Sequence, residues 1–432
     1  MQNSSRKDRG VSRRTALGLI GAAGAASAAG VAGRAASALA APAVRKKVTI
    51  QFWNWADNPN HQKMSIDGVE AFNRSQEFIT VELDATSLVQ ELRQKVVVAF
   101  ASGSGPDVAG TVQTWIQDYY DNGVMAPIEE YFNAWDEHTD YYPNIVNAMR
   151  SKADQPVLYM PNAILPYVLY YRADWFDAAG VKPPETYDEF IAAAKAMTRD
   201  EHFGYALRGL DYYAVQPIEP IWHTAGVDIV KPDGTVDFDG PEAVGVTEKW
   251  VGMYTKDHSC QPTAVNDRYS QLFALMEGSK TAMWIYGTHA HPQLDAAFGE
   301  KIQCVPTPRV GATNSMLANP EGSMILSSSK EPEAAFEFQA FWSTGDANRA
   351  FTQGRGLLPV RKSLGDDPFF QDNRFFKTAV DNADKWWMPP FSWKNWSNYQ
   401  DKIAPYWQQA LREEITVQQF HDQAAKFLRG EA

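Results

Sequence analysis

Tyr159-Met160-Pro161-Asn162-Ala163-Ile164-Leu165-Pro166-Tyr167-Val168-Leu169-Tyr170-Tyr171 is an apolar run of extended character, broken twice by proline. Proline cannot donate to a β-ladder, so the pair marks a crossing or edge segment rather than a central strand. Before it, strand-like and helix-like stretches alternate. Val48-Thr49-Ile50-Gln51-Phe52-Trp53 reads as a first strand, β-branched and aromatic, running into the polar loop 54–59. A helix follows with Met64, Val69 and Phe72 on one side. Residues 78–83 alternate as a second strand, 87–101 read as a helix, 107–109 as a short buried strand, and 115–121 as a helix stopped by Asn122-Gly123. Beyond the crossing, Thr186 with Glu189 forms a capping box at the head of a helix ending near Met197. From Gly240 onward helical signals dominate, interrupted at 281–286 and 324–327. This alternation predicts parallel α/β construction.

Composition narrows the class. The chain has 432 residues, 44% hydrophobic and 21% charged, the mix of a folded globular protein. At ~150 residues per domain its length predicts two or three domains. Its 40 Lys and Arg against 52 Asp and Glu leave a net charge of −12, which argues against nucleic acid as a partner. Two cysteines exclude a disulfide scaffold and any Cys-based metal site. His289 and His291 stand before Pro292 as at a helix start, so no metal and no cofactor is expected. There is no nucleophile elbow, P-loop or His-Glu-x-x-His.

Residues 1–43 stand apart. Arg6, Lys7, Arg9, Arg13 and Arg14 precede a run rich in Ala and Gly, and Ala38-Leu39-Ala40 offers a small-x-small cleavage site. Residues 1–40 are therefore expected to be an export signal peptide. Arg13-Arg14 resembles the twin-arginine (Tat) signal, although Ala16 stands where that signal usually has Phe. The run, with Arg34 inside it, makes a poor transmembrane helix. A periplasmic or extracellular location follows. In that oxidising setting Cys260 and Cys304 either form a disulfide, worth roughly 4 kcal/mol, or remain two free thiols.

Four stretches, in order, carry a family likeness. They are Ala101-Ser102-Gly103-Ser104-Gly105-Pro106-Asp107-Val108; the set Tyr159-Met160-Pro161, Leu169 to Phe176 and Gly180 to Phe190; Gly278 to Gly287; and Gly356-Leu357-Leu358-Pro359-Val360-Arg361-Lys362-Ser363. With them the chain resembles, over nearly all of 48–430, family 1 of the extracellular solute-binding proteins, the sugar-binding subunits of ABC importers. The resemblance implies an α/β, two-lobed periplasmic-binding-protein fold with a ligand cleft between lobes joined by three crossing segments. Carried onto this chain, the crossings fall near 161–165, 305–308 and 343–346. Lobe one would hold 44–163 plus 306–343, and lobe two 164–305 plus 344–432. It further implies a monomer that captures a small-molecule carbohydrate and delivers it to ABC importer membrane subunits, with no reaction and no catalytic residues.

A sugar offers flat C–H faces and a rim of hydroxyls, so its site needs aromatic platforms and planar polar groups. The 14 Trp and 18 Tyr supply candidates, several of them in loops. Trp55 is expected as a platform in the loop after the first strand, with Asp57 and Asn58 beside it. Trp222 precedes a small-residue turn. Tyr286 and His289 occupy a position where relatives usually show Gly-x-Trp, with His289 in place of that Trp. Glu321 and Gly322 stand where relatives place a Gly-rich ligand loop. Tyr167 at the crossing, Arg355 between two glycines, Gln113, and Trp396 from the C-terminal tryptophan cluster complete the set. Two other readings stand beside this one: a secreted carbohydrate-active enzyme, which needs two carboxylates flanking one bond, and the same fold binding a polyol, osmolyte or glycerophosphodiester.

Overall fold

The computed structural model describes residues 44–431 apart from 45, 57, 151, 153, 212, 232, 392, 394 and 395. The expected export signal at 1–40 and the candidate Asp57 lie outside the described residues. The strands are β1 (Val48–Trp55), β2 (Ile79–Ser87), β3 (Val108–Val112), β4 (Met160–Arg172), β5 (Phe203–Tyr205), β6 (Thr281–Gly287), β7 (Ile302–Pro306), β8 (Met316–Ile325) and β9 (Trp386–Trp387). They join in the order β2-β1-β3-β8-β4-β6-β5, with β7 also on β4 and β9 on β8.

One strand ties this order together. The first part of β4 pairs antiparallel with β8, from Met160↔Ser323 to Pro166↔Ala318. From Tyr167 on it pairs instead with β6 and β7, both antiparallel. The two prolines sit at its two irregular points. Pro161 borders a register shift, and Pro166 is the last residue on β8 before the partners change. Each missing N–H thus falls where the ladder is interrupted. The strand is nevertheless central. The sheet is also mixed rather than parallel: β1 runs parallel to β2 and β3, β5 to β6 and β8 to β9, while β4 opposes β6, β7 and β8, and β8 opposes β3.

Helices cover both ends of this sheet. Helix Pro59–Ser75 starts at Asn58 and packs on β2. Behind β1, Phe52 meets Phe338 and Trp342 edge-on at 5.0 and 5.7 Å. At the other end Trp250 packs against Phe190 and Tyr205 at 5.8 and 5.2 Å. The Thr186 capping box is present: Glu189 N donates to Thr186 Oγ1 at 3.3 Å, and Thr186 N to Glu189 Oε2 at 2.9 Å. The chain leaves the β5–β6–β7 part after Pro306 and enters the β1–β2–β3 part at Met316. The third passage differs from the expectation. Helix Gly345–Arg355 packs on helix Pro59–Ser75, Asn348 Nδ2 donates to Asn162 O at 2.6 Å, and Arg361 Nε donates to Asp140 Oδ2 at 2.9 Å. Residues 344–361, assigned to lobe two, therefore stay with the first part of the sheet. Helical periodicity shows that a face is buried, not which sheet buries it.

Gly322, expected at the ligand, is instead held between β3 and β4, opposite Thr111 and Pro161. A Cβ there would stand 2.0 Å from Met160 O and 2.6 Å from Pro161 Cα, both backbone atoms that cannot swing aside. Gly322→Ala should therefore lower unfolding free energy by about 1–3 kcal/mol, read from the urea midpoint. An unchanged midpoint would contradict the close β4–β8 contact.

Candidate functional site

A cavity of about 280 Å³ opens between the two parts of the sheet. The first part contributes Trp55 from β1, Arg93 from helix Val89–Ala101, Gln113 and Trp115 from the turn after β3, Glu321 from β8, and Arg355. The second contributes Tyr167 from β4, Tyr286 and His289 from the end of β6, Tyr213 and Gln216, and Trp396, Gln400 and Asp401 from helix Trp396–Leu411. That helix touches the turn Gln113–Trp115, so the two sides meet at the cavity.

The aromatic walls are positioned by backing layers. Residues 284 and 286 share one face of β6, and Tyr286 stacks on Trp284 at 4.4 Å and 9°, and on Tyr269 at 5.1 Å. Burial holds its phenol well above the ordinary tyrosine range, with Arg208 opposing. Tyr167 lies tilted beside it at 5.7 Å. Trp396 stacks on Tyr399 at 4.9 Å. On the opposite wall Trp55 passes over Gly110, where a Cβ would come within 2.8 Å of its ring. Trp55 is only 4% exposed, so it serves the core as well as the wall.

Charges around the cavity come in pairs. Arg355 forms an ion pair with Glu321, both largely shielded from solvent. Arg93 bonds Asp118 at 2.6 Å and lies over the Trp115 ring. Arg208, buried, bonds Asp211 at 2.7 Å. Asp401 is the more exposed group, and desolvation raises its carboxyl above the ordinary aspartate range, with Arg93 opposing. Behind the wall, Gln400 Nε2 donates to Glu219 Oε1 at 2.9 Å. Glu219 is fully buried, and desolvation lifts its carboxyl from 4.5 to about 7 against the pull of that hydrogen bond.

The structure thus brings Trp55, Gln113, Tyr167, Tyr286, His289, Glu321, Arg355 and Trp396 to one cavity. Asn58 is not among its lining: its side chain accepts from His61 N at 3.0 Å and caps a helix. Trp222 is fully buried in the second core, its Nε1 donating to Thr247 Oγ1 at 2.9 Å and its ring against Phe238. Cys260 and Cys304 are free thiols, not a disulfide. Burial pushes the Cys304 thiol up to about 12. Arg93, Trp115, Tyr213, Gln216, Gln400 and Asp401 escaped the sequence reading. Gln400 carried a usable signal, since it follows Trp396 by one helical turn and shares its face. Among the described residues no group of three His, Cys, Asp or Glu side chains could hold a metal ion, and no helix is long and apolar enough to cross a membrane.

The fold is a two-lobed α/β binding protein with its cleft between lobes joined by crossing segments. The sugar-binding protein MalE of Xanthomonas citri has the same fold, with a TM-score of 0.78 at 16% identity over 89% of this chain and 98% of its own. An ABC transporter solute-binding protein of Thermotoga lettingae, solved with alpha-D-tagatose, gives 0.73 at 20% identity over 89% and 99%. A protein of Brucella abortus (strain 2308) is 24% identical over 299 residues, covering 65% of this chain and 69% of its own. Residues 68–378 match the family model of the bacterial extracellular solute-binding proteins, and the chain belongs to that family. Its members are solute-binding components, not enzymes, and they work outside the cytoplasm.

The buried Glu219 gives a pH signature. In the unfolded chain it ionises near 4.5, in the fold near 7. Between those values the fold holds a proton that the unfolded chain has lost, so its contribution to stability falls as pH rises and levels off above about 7. Glu219→Gln should remove this decline, gaining roughly 3 kcal/mol on wild type between pH 4.5 and 7.5. Urea titrations across that range test it, and parallel curves for the two proteins would show that Glu219 ionises normally.

Proposed function

We propose that this protein captures a carbohydrate in the cavity between its lobes and hands it to the membrane subunits of an ABC importer. The observation that carries the reading is the wall chemistry. Aromatic side chains, Trp55 and Trp115 on one side and Tyr286 and Trp396 on the other, alternate with the planar polar groups of Gln113, Gln216, Gln400 and Arg355. Ring faces match a sugar's C–H surface, and side-chain amides and guanidinium match its hydroxyl pairs. Because both lobes contribute, a guest touching both favours the closed state. Sugars held by proteins of the same fold, such as alpha-D-tagatose, support the class of guest.

Lobe one comprises 44–163 and 306–343, extended here to Arg361, and lobe two the rest of the mature chain. Export runs through a signal peptide at 1–40 with a twin-arginine character, and the mature protein acts as a monomer. Of the wall carboxylates, Glu321 is tied to Arg355, which disfavours it as a proton donor in bond cleavage.

Calorimetry and thermal shift against mono-, di- and oligosaccharides, polyols and glycerophosphodiesters test the function. A binding saccharide should raise stability by about 2.7 kcal/mol at 100 times its Kd, with no new reducing ends on incubation. Binding only by a polyol or glycerophosphodiester, or the release of reducing ends, would replace this reading. Asp401 is an exposed wall group, so Asp401→Ala should leave the melting temperature of the empty protein nearly unchanged. It should weaken saccharide binding by about tenfold or more, the worth of a hydrogen bond to a charged group. Unchanged affinity would place Asp401 outside the contact surface.

A further inference from the structure

Four side chains at the cavity floor form a relay whose hydrogen bonds all run one way. Tyr167 Oη donates to Gln216 Oε1 at 2.6 Å, Gln216 Nε2 to Gln400 Oε1 at 3.4 Å, and Gln400 Nε2 to Glu219 Oε1 at 2.9 Å. Tyr167, Gln216 and Gln400 line the cavity, while Glu219 is wholly buried at the end of the relay. An ionised carboxylate can only accept. The amide beside it must turn its NH2 toward it, which leaves that amide's oxygen for the next amide, and so on to Tyr167, whose proton is drawn inward. A protonated carboxyl can donate. Both amides can then turn over, and the Tyr167 proton is released toward the cavity.

We propose that Glu219 is a positioning residue that sets the hydrogen-bond polarity of the cavity floor, so that Tyr167 offers the guest an acceptor while Glu219 is ionised and a donor once it is protonated. The ionised state favours a guest hydroxyl at that point, and the protonated state a ring or glycosidic oxygen. This choice of contact rests on the carbohydrate reading above; the relay itself does not.

The surroundings leave Glu219 as the group that changes. Its Oε2 has no hydrogen-bond partner among the described residues, so a half-turn of the protonated carboxyl brings its O–H to face Gln400 without breaking another hydrogen bond. Burial places its titration near 7. From helix Trp396–Leu411 the neighbouring titratable group is the Tyr399 phenol, which burial and Glu219 itself hold far above the ordinary range, so it stays neutral. Helix Pro241–Thr255 packs against the Glu219 helix, and its Glu242, Glu248 and Lys249 are exposed. β8, which also packs there, carries Glu321, paired with Arg355. On its own helix His223 lies flat on Trp387 at 4.6 Å, and burial keeps its pKa below the ordinary histidine value. Near Tyr167, Arg208 remains bound to Asp211.

The test begins with the unliganded wild-type protein, labelled with 15N at glutamine side chains. The Nε2 resonances of Gln216 and Gln400, assigned by single substitutions, are followed from pH 5.5 to 8.5. Both should move with one shared midpoint near 7, and Glu219→Gln should abolish the movement. Flat resonances, or movement at Gln400 without Gln216, would overturn the relay. The wild-type titration decides this even if the variant fails to fold. Maltotriose calorimetry at pH 6 and pH 8 is the second arm. Its Kd should differ by at least about threefold in wild type and be level in Tyr167→Phe. Binding that is equal at both pH values in wild type would overturn the effect on the guest. Absence of heat with every saccharide would count against the carbohydrate reading, and the amide titration would still judge the relay.

Discussion

The whole molecule depends on β4 satisfying its backbone with two different sets of partners. Up to Pro166 it bonds to β8, and from Tyr167 it bonds to β6 and β7. A buried strand must pair its N–H and C=O groups somewhere. Changing partners in mid-strand is tolerable because a proline, with no N–H to leave unpaired, stands at the junction. This puts Tyr167 where the two parts of the sheet part company, and the cavity opens there. The position of the site and the topology of the sheet are one fact.

The crossing also explains why so much of the fold could be read from the sequence. Pro161 and Pro166 within an apolar run, and the Thr186–Glu189 capping box, are local signals with local causes. The mixed sheet was not legible. Whether neighbours run parallel depends on where β4 and β8 lie in space, and their residues look the same either way. The third passage was missed for a related reason: helix Gly345–Arg355 shows a buried face, yet its packing on helix Pro59–Ser75 and its Asn348 bond to Asn162 O, which reveal the part of the sheet it serves, are contacts across the chain.

The site divides in the same way. Aromatics beside predicted loops, Trp55 and Trp396, could be found because a large ring outside a periodic segment needs an explanation, and Tyr286 through the family likeness. Trp222 met the same test and belongs to the core, since Thr247 satisfies its indole and Phe238 covers its ring. Residue type alone does not separate the two outcomes. The polar residues were harder. Gln216, Gln400 and Glu219 are brought together from separate segments, and their meaning lies in the direction of their hydrogen bonds.

The ion pairs around the cavity bear on what it holds. Arg355 with Glu321, Arg93 with Asp118 and Arg208 with Asp211 each set a cation against a carboxylate close to the wall. Pairing offsets much of the cost of keeping these charges away from water and sets each cation against a carboxylate rather than toward a guest. Such a cavity discriminates by shape, ring contact and hydrogen-bond direction rather than by charge. A neutral molecule dense in hydroxyls is the guest that can use all three. Of the two carboxylates that line it, Glu321 is closed into its ion pair and Asp401 is the exposed one.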